Sequence, residues 1–86
     1  MTYRVTVGKK AKKQLKKMDK YQASLLIDWI ENNLDGCQNP RAIGAALVNS
    51  EYWRYKVGQY RILADINDDK VEILLVKVGT RENFYN

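Results

Sequence analysis

Apolar and polar positions alternate with a period of two near the start of the chain and again through its second half, and between these stretches they take helical spacing. Thr2 to Val7 place Tyr3, Val5 and Val7 on one face and end at Gly8, the pattern of a first strand. In KKAKKQLKKMDK, Ala11, Leu15 and Met18 form a narrow apolar stripe on a segment otherwise coated with lysine. Asp19-Lys20 interrupts it. YQASLLIDWIENNL carries a wider stripe of Ala23, Leu26, Ile27, Ile30 and Leu34, with Gly36 placed to cap its C-terminus. The spacing predicts two helices, close enough in sequence to form a helical hairpin.

Residues Gly36 to Asn49 hold the only proline, Pro40, and few strong signals; GAAL reads as a turn of helix. Strand alternation returns in YWRYKVGQYRILADI, Tyr52 to Ile66. One face takes Trp53, Tyr55, Val57, Tyr60, Ile62, Ala64 and Ile66, and the other takes Arg54, Lys56 and Arg61. If Gly58 and Gln59 form a two-residue hairpin loop, Val57 pairs with Tyr60 and Lys56 lies opposite Arg61. Like charges opposite each other destabilise a sheet, so this pairing asks for a reason outside the fold. Asn67-Asp68-Asp69 reads as a turn. Val71 to Val78, VEILLVKV, reads as a central strand buried on both faces. The order predicts an α+β domain: an N-terminal strand, a two-helix hairpin, then a three-stranded antiparallel meander. Together they give a four-stranded, mainly antiparallel sheet with the helices on one face. No repeat or linker divides it, so residues 1–86 read as a single domain.

Charge narrows the function. Fifteen Lys and Arg against ten Asp and Glu give a net charge of +5, which favours polyanionic partners such as nucleic acid or an acidic protein. Histidine is absent, which removes His general bases and most transition-metal sites. Proton transfer must then use Tyr, Lys, Arg, Asp or Glu. The single cysteine, Cys37, has no disulfide partner in the chain and no metal-ligand spacing around it, and reads as a buried or half-buried thiol. No cofactor or metal is expected. The N-terminus lacks the apolar run of a secretory signal, and no stretch reaches the ~18 apolar residues of a membrane span. A reduced cytoplasmic setting is the expectation.

Three groups of residues are candidates for chemistry. Lys9, Lys10, Lys12, Lys13, Lys16, Lys17 and Lys20 form a cationic run unbroken by acid until Asp19. Like charges at i,i+4 cost a few tenths of a kcal/mol each, and contact with phosphates would offset that cost. Arg54, Lys56 and Arg61 share a hairpin face; they read either as solvent-facing residues neighboured by Asp65 or Glu72, or as a fixed cluster for an oligophosphate. In the tail GTRENFYN, Arg81 and Tyr85 would share one face of a helical turn.

The stretch WRYKVGQYRILADINDDKVEILLVKVGTRENFY resembles the RelE group of the RelE/ParE superfamily of bacterial type II toxins. The likeness rests on the WRY-V-YRI hairpin, the acidic turn, the apolar strand, and VG-R followed by an aromatic terminus. It extends weakly upstream over both helices and PRAIGAAL. The resemblance implies a metal-independent endoribonuclease acting in the ribosomal A site, where the ribose 2′-OH of the mRNA attacks the adjacent phosphate. It implies Arg54, Lys56, Arg61, Arg81 and Tyr85 as the catalytic set, with Tyr85 as general base (Lys56 the alternative), Arg61 and Arg81 on the phosphate, and Arg54 assisting. Surrounding cations stabilise a phenolate and bring the tyrosine down from its ordinary pKa near ~10. The lysine run would grip ribosomal RNA. A cognate RelB-like antitoxin is implied as partner, in a hetero-oligomer, with the toxin alone a monomer. This chain departs from many relatives in having Thr80 at a position where they carry histidine, and in ending at Asn86, whose carboxylate would be expected to oppose phenolate formation at Tyr85. Two alternatives stand: a ParE-like inhibitor of DNA gyrase that cuts nothing, and a non-catalytic nucleic-acid-binding module. The second lacks any RNP-type aromatic strand to serve as a stacking platform.

Overall fold

The computed structural model describes residues 1–80. Alternation becomes strand and helical spacing becomes helix in the order β1 (Arg4–Val7), α1 (Lys9–Lys17), α2 (Lys20–Asn33), β2 (Ala45–Ala46), β3 (Trp53–Val57), β4 (Tyr60–Asn67) and β5 (Glu72–Thr80). The sheet has five strands in the order β1-β5-β4-β3-β2, antiparallel except for the β1–β5 pair. The fold is therefore the α+β class that the pattern predicts, with one strand more.

That strand corrects the reading of GAAL as helix. Gly44 takes φ +83, a left-handed conformation that suits glycine. A Cβ there would clash with the Arg54 carbonyl oxygen. The indole Nε1 of Trp53 donates to the Ile43 carbonyl at 2.7 Å. These contacts draw the segment onto the sheet edge, where Ala45 and Ala46 pair with Arg54 and Trp53. Two smaller differences follow from pairing. The first strand begins at Arg4, where the N–H reaches the Val71 carbonyl. Val71 itself sits at φ 53 in the turn, so β5 starts one residue later than its apolar run.

Asp19 does more than interrupt a pattern. Its carboxylate accepts from the backbone N–H groups of Tyr21 and Gln22, capping α2. Past α2, Gly36 at φ +83 turns the chain so that its N–H reaches the Tyr3 carbonyl at 2.7 Å, tying the helix exit to the first strand.

Both helices cover one face of the sheet. Ala11, Leu26, Ile30 and Leu34 meet Tyr55, Ile62, Ala64, Ile73, Leu75 and Val78 in a single core. Each Leu or Ile buried there contributes roughly 1.5–3 kcal/mol of transfer free energy. Leu15 and Met18 pack against its margin, as the lysine-coated stripe predicts. In α2 the buried face is rotated from the expected stripe: Ile27 is exposed, and Trp29 instead packs its ring 5.8 Å from that of Tyr55. β5 is a central strand, but only its helix-side residues are fully buried; Leu74, Val76 and Lys77 are half-buried. The expectation of burial on both faces is thus corrected, because no helix among the described residues covers the second face.

Two polar links hold the long α2–β3 connection. The phenol of Tyr55, 1% exposed, donates to the Pro40 carbonyl at 2.5 Å, and burial pushes its pKa well above the ordinary value. Arg41 forms an ion pair with Asp68 at 3.0 Å, and the Tyr3 hydroxyl donates to the same carboxylate oxygen at 2.7 Å. These bonds, Arg41 first, hold Asp68 below the usual carboxylate range. Cys37 is a half-buried free thiol, its pKa raised by desolvation.

Tyr55→Phe should lower unfolding stability in urea by about 1–2 kcal/mol, because it leaves the buried Pro40 carbonyl without its donor. The Asp68 carboxyl titrates lower in the folded state than in the unfolded chain, so its contribution is complete at neutral pH and is lost as pH falls through the folded-state value, below ~3.9. Urea midpoints from neutral to acid pH should therefore fall less steeply for Asp68→Asn than for the natural chain.

Candidate functional site

The face away from the helices is built by β3, β4 and β5. A two-residue loop, Gly58-Gln59, joins β3 to β4, with Gly58 at φ +60 as the first central residue of a type II′ turn requires. This sets the register: Val57 pairs with Tyr60, Lys56 with Arg61, Arg54 with Leu63. On the other side of β4, Arg61 pairs with Gly79 and Leu63 with Lys77. Cross-strand partners share a face, so two adjacent rows form on the helix-free side: Lys56–Arg61–Gly79 and Arg54–Leu63–Lys77. The like-charge pairing read from the sequence is present.

The four cations differ in how firmly they are held. Arg61 is only 9% exposed, and its Nη1 donates to the carbonyls of Tyr60 at 3.1 Å and Gly58 at 3.4 Å. The turn that sets the register thus also fixes the guanidinium. Gly79, its partner on β5, adds no side chain to the row. Arg54 is half-buried and Lys56 exposed. Among the described residues neither Lys56 nor Arg61 forms an ion pair with an acid. Of the two acids that could have neighboured this cluster, Glu72 lies at the far end of the face opposite Asn67, where it accepts from the Thr6 hydroxyl at 3.3 Å. Asp65 lies opposite Leu74, beyond the bulge that follows Leu63. The row nearest the hairpin loop is therefore a fixed positive surface suited to phosphate oxygens.

Lys77 is the cation that sequence reasoning missed. Its run, VEILLVKV, looks uniformly apolar, but the bulge between the Leu63 and Ala64 pairings shifts Lys77 onto the open face. The bulge also frees the Val78 N–H from the ladder, and it is taken up by Gln14 Oε1 of α1 at 2.7 Å. That contact docks α1 beside β5, where β1 has already ended.

Lys9, Lys10, Lys12, Lys13, Lys16 and Lys17 all lie on α1 and Lys20 opens α2; every one is exposed. They form a second cationic surface on the helix side of the sheet, separate from the open face. Arg81 and Tyr85 lie outside the described residues, as does the helical turn expected to place them together. No helix among the described residues is long and apolar enough to cross a membrane, and no described group of His, Cys, Asp or Glu is arranged to hold a metal ion.

A model of the ParE toxin of the type II toxin–antitoxin system parDE matches residues 5–85. The chain belongs to this toxin family. Solved structures of related toxins share its fold. The RelBE2 toxin–antitoxin complex of Mycobacterium tuberculosis superposes with a TM-score of 0.84 at 20% identity, covering 94% of this chain and 93% of that one. A mutant of the E. coli toxin RelE in the free state gives 0.78 at 20% identity, over 99% and 90% of the two chains. The archaeal RelE–RelB complex of Pyrococcus horikoshii gives 0.64 at 25% identity, over 94% and 97%. A comparison with curated protein sequences returns no match. The chain is thus a type II toxin of the RelE/ParE superfamily, matched by a ParE family model in sequence and resembling RelE structures in fold.

Proposed function

We propose that this toxin is a ribosome-dependent endoribonuclease that cleaves mRNA in the A site, in a cytoplasmic setting. The observation that carries the reading is the Lys56–Arg61–Gly79 row, with Arg61 fixed by the hairpin carbonyls. Such a row costs the sheet stability, and a toxin that only bound another protein would have no need of it. In the proposed reaction the ribose 2′-oxygen attacks the adjacent phosphorus, and the P–O5′ bond breaks as the 5′-oxygen takes a proton from water. A 2′,3′-cyclic phosphate and a 5′-hydroxyl result. Arg61 and Arg54 hold the non-bridging oxygens as charge develops in the phosphorane, with Lys77 extending the same surface. Tyr85 removes the 2′-proton, with Lys56 the other candidate base, and Arg81 completes the phosphate site. The exposed lysines of α1 and Lys20 bind ribosomal RNA through its phosphates. The toxin alone is a monomer. Its partner is a RelB-like antitoxin, a reading supported by the RelB–RelE complexes among its structural relatives.

A second reading, inhibition of DNA gyrase without cleavage, is favoured by the match to a ParE family model. Cell-free translation of a defined mRNA, with new ends mapped, separates the two. The nuclease reading predicts ends within A-site codons only when ribosomes are present. It also predicts a fall of at least ~100-fold in Arg61→Ala and in Arg81→Ala, the usual effect of removing an electrostatic group from a reacting centre. Intact mRNA throughout, together with loss of gyrase supercoiling activity on adding the toxin, would establish the gyrase reading instead.

A further inference from the structure

β2 is too short to cover β3. It pairs only with Trp53 and Arg54, and at Gly44 the chain turns away. A cleft of about 530 Å³ opens beside the uncovered part of β3. Trp29 and Asn33 of α2 line one side, the loop from Ile43 to Ala45 lines another, and Tyr55 lies between them. The lining runs on to Arg54 and Lys56, so the cleft is continuous with the cations of the open face.

The residues in this cleft suit a planar heterocycle. Trp29 is half-buried and held at 56° to the Tyr55 ring, which fixes the indole. It makes no hydrogen bond through Nε1 among the described residues. The amide of Asn33 donates through Nδ2 to the Trp29 carbonyl at 2.9 Å, which orients the group and leaves Oδ1 as an acceptor. An aromatic wall and a positioned amide next to two phosphate-binding cations are what single-stranded RNA recognition uses.

We propose that the Trp29–Asn33 cleft is a nucleobase subsite, holding the base of a nucleotide whose phosphate lies on Arg54 and Lys56. The inference rests on the proposal that the open face binds RNA, and it adds the residues that hold the substrate's base. None of them belongs to the cation set, so they act on affinity and leave the phosphate chemistry to the sheet. Asn33 offers one acceptor to an exocyclic amino or ring N–H group, which all four RNA bases present, so it favours a base over an abasic site without choosing among the four.

The test is an NMR titration of the toxin with a 2′-O-methyl tetranucleotide, which has no 2′-hydroxyl to react, and with an abasic ribose-phosphate chain of equal length. Assigned Trp29 indole and Asn33 amide signals should shift with the tetranucleotide and not with the abasic chain. Asn33→Ala should weaken the tetranucleotide by roughly 5- to 10-fold, the effect of one hydrogen bond, and leave abasic binding unchanged. Trp29→Phe, which keeps an aromatic ring, should retain most of the affinity, whereas Trp29→Leu should lose about 10-fold. If both ligands bind equally and Trp29 and Asn33 do not respond, the subsite is overturned while the cationic face stands. If neither ligand binds, the subsite is overturned, and the open face is decided separately by the cell-free translation assay.

Discussion

The register between β3 and β4 is the constraint on which the rest of this molecule depends. A two-residue loop at Gly58-Gln59 sets it, and a slip of one residue would exchange the two faces of the hairpin. In the observed register Tyr55, Ile62 and Val78 enter the core, while Lys56 and Arg61 are driven together on the open side. The apolar face leaves no freedom to separate them. Burial of the first set outweighs repulsion in the second, since each large core side chain contributes more than a like-charge pair costs. The carbonyls of the same turn then accept from Arg61, so one short loop sets the pairing, the burial and the aim of the guanidinium.

Much of this was legible because period-two alternation and a glycine turn are local signals. The hairpin, its register and its opposed cations follow from residues 52–66 alone, and Asp19 and Gly36 mark the ends of α2 for similarly local reasons. What escaped depends on tertiary contact. β2 has two residues of alanine and exists because Gly44 lets the backbone approach Arg54 closely. The rotation of α2 follows from Trp29 finding Tyr55, a partner distant in sequence. Lys77 reached the open face through a bulge, and bulges leave almost no trace in a run of apolar residues. The separation of the α1 lysines from the sheet cations was likewise invisible, since it depends on Gln14 docking the helix beside β5. The part of the site placed in the tail, Arg81 and Tyr85, lies outside the described residues.

Two cationic surfaces on opposite sides of one sheet divide the work in the proposed function. The α1 lysines are exposed, suited to salt-sensitive contact with many phosphates. The sheet cations are few, and one of them, Arg61, is buried and fixed by backbone carbonyls, which suits a single phosphate whose charge changes during reaction. Both described helices cover the same sheet face, and polar ties such as Tyr55 to Pro40 and Arg41 to Asp68 add to the core they build.

Lys56 stands opposite Arg61 for a ligand and against the stability of the fold. Urea unfolding of the natural chain and of Lys56→Gln, at low and at high salt, measures that cost. Lys56→Gln should be the more stable at low salt, by about 0.2–1 kcal/mol, and the difference should close as salt screens the pair. A variant less stable than the natural chain at both salt concentrations would contradict it, because Lys56 would then be part of what holds the sheet together.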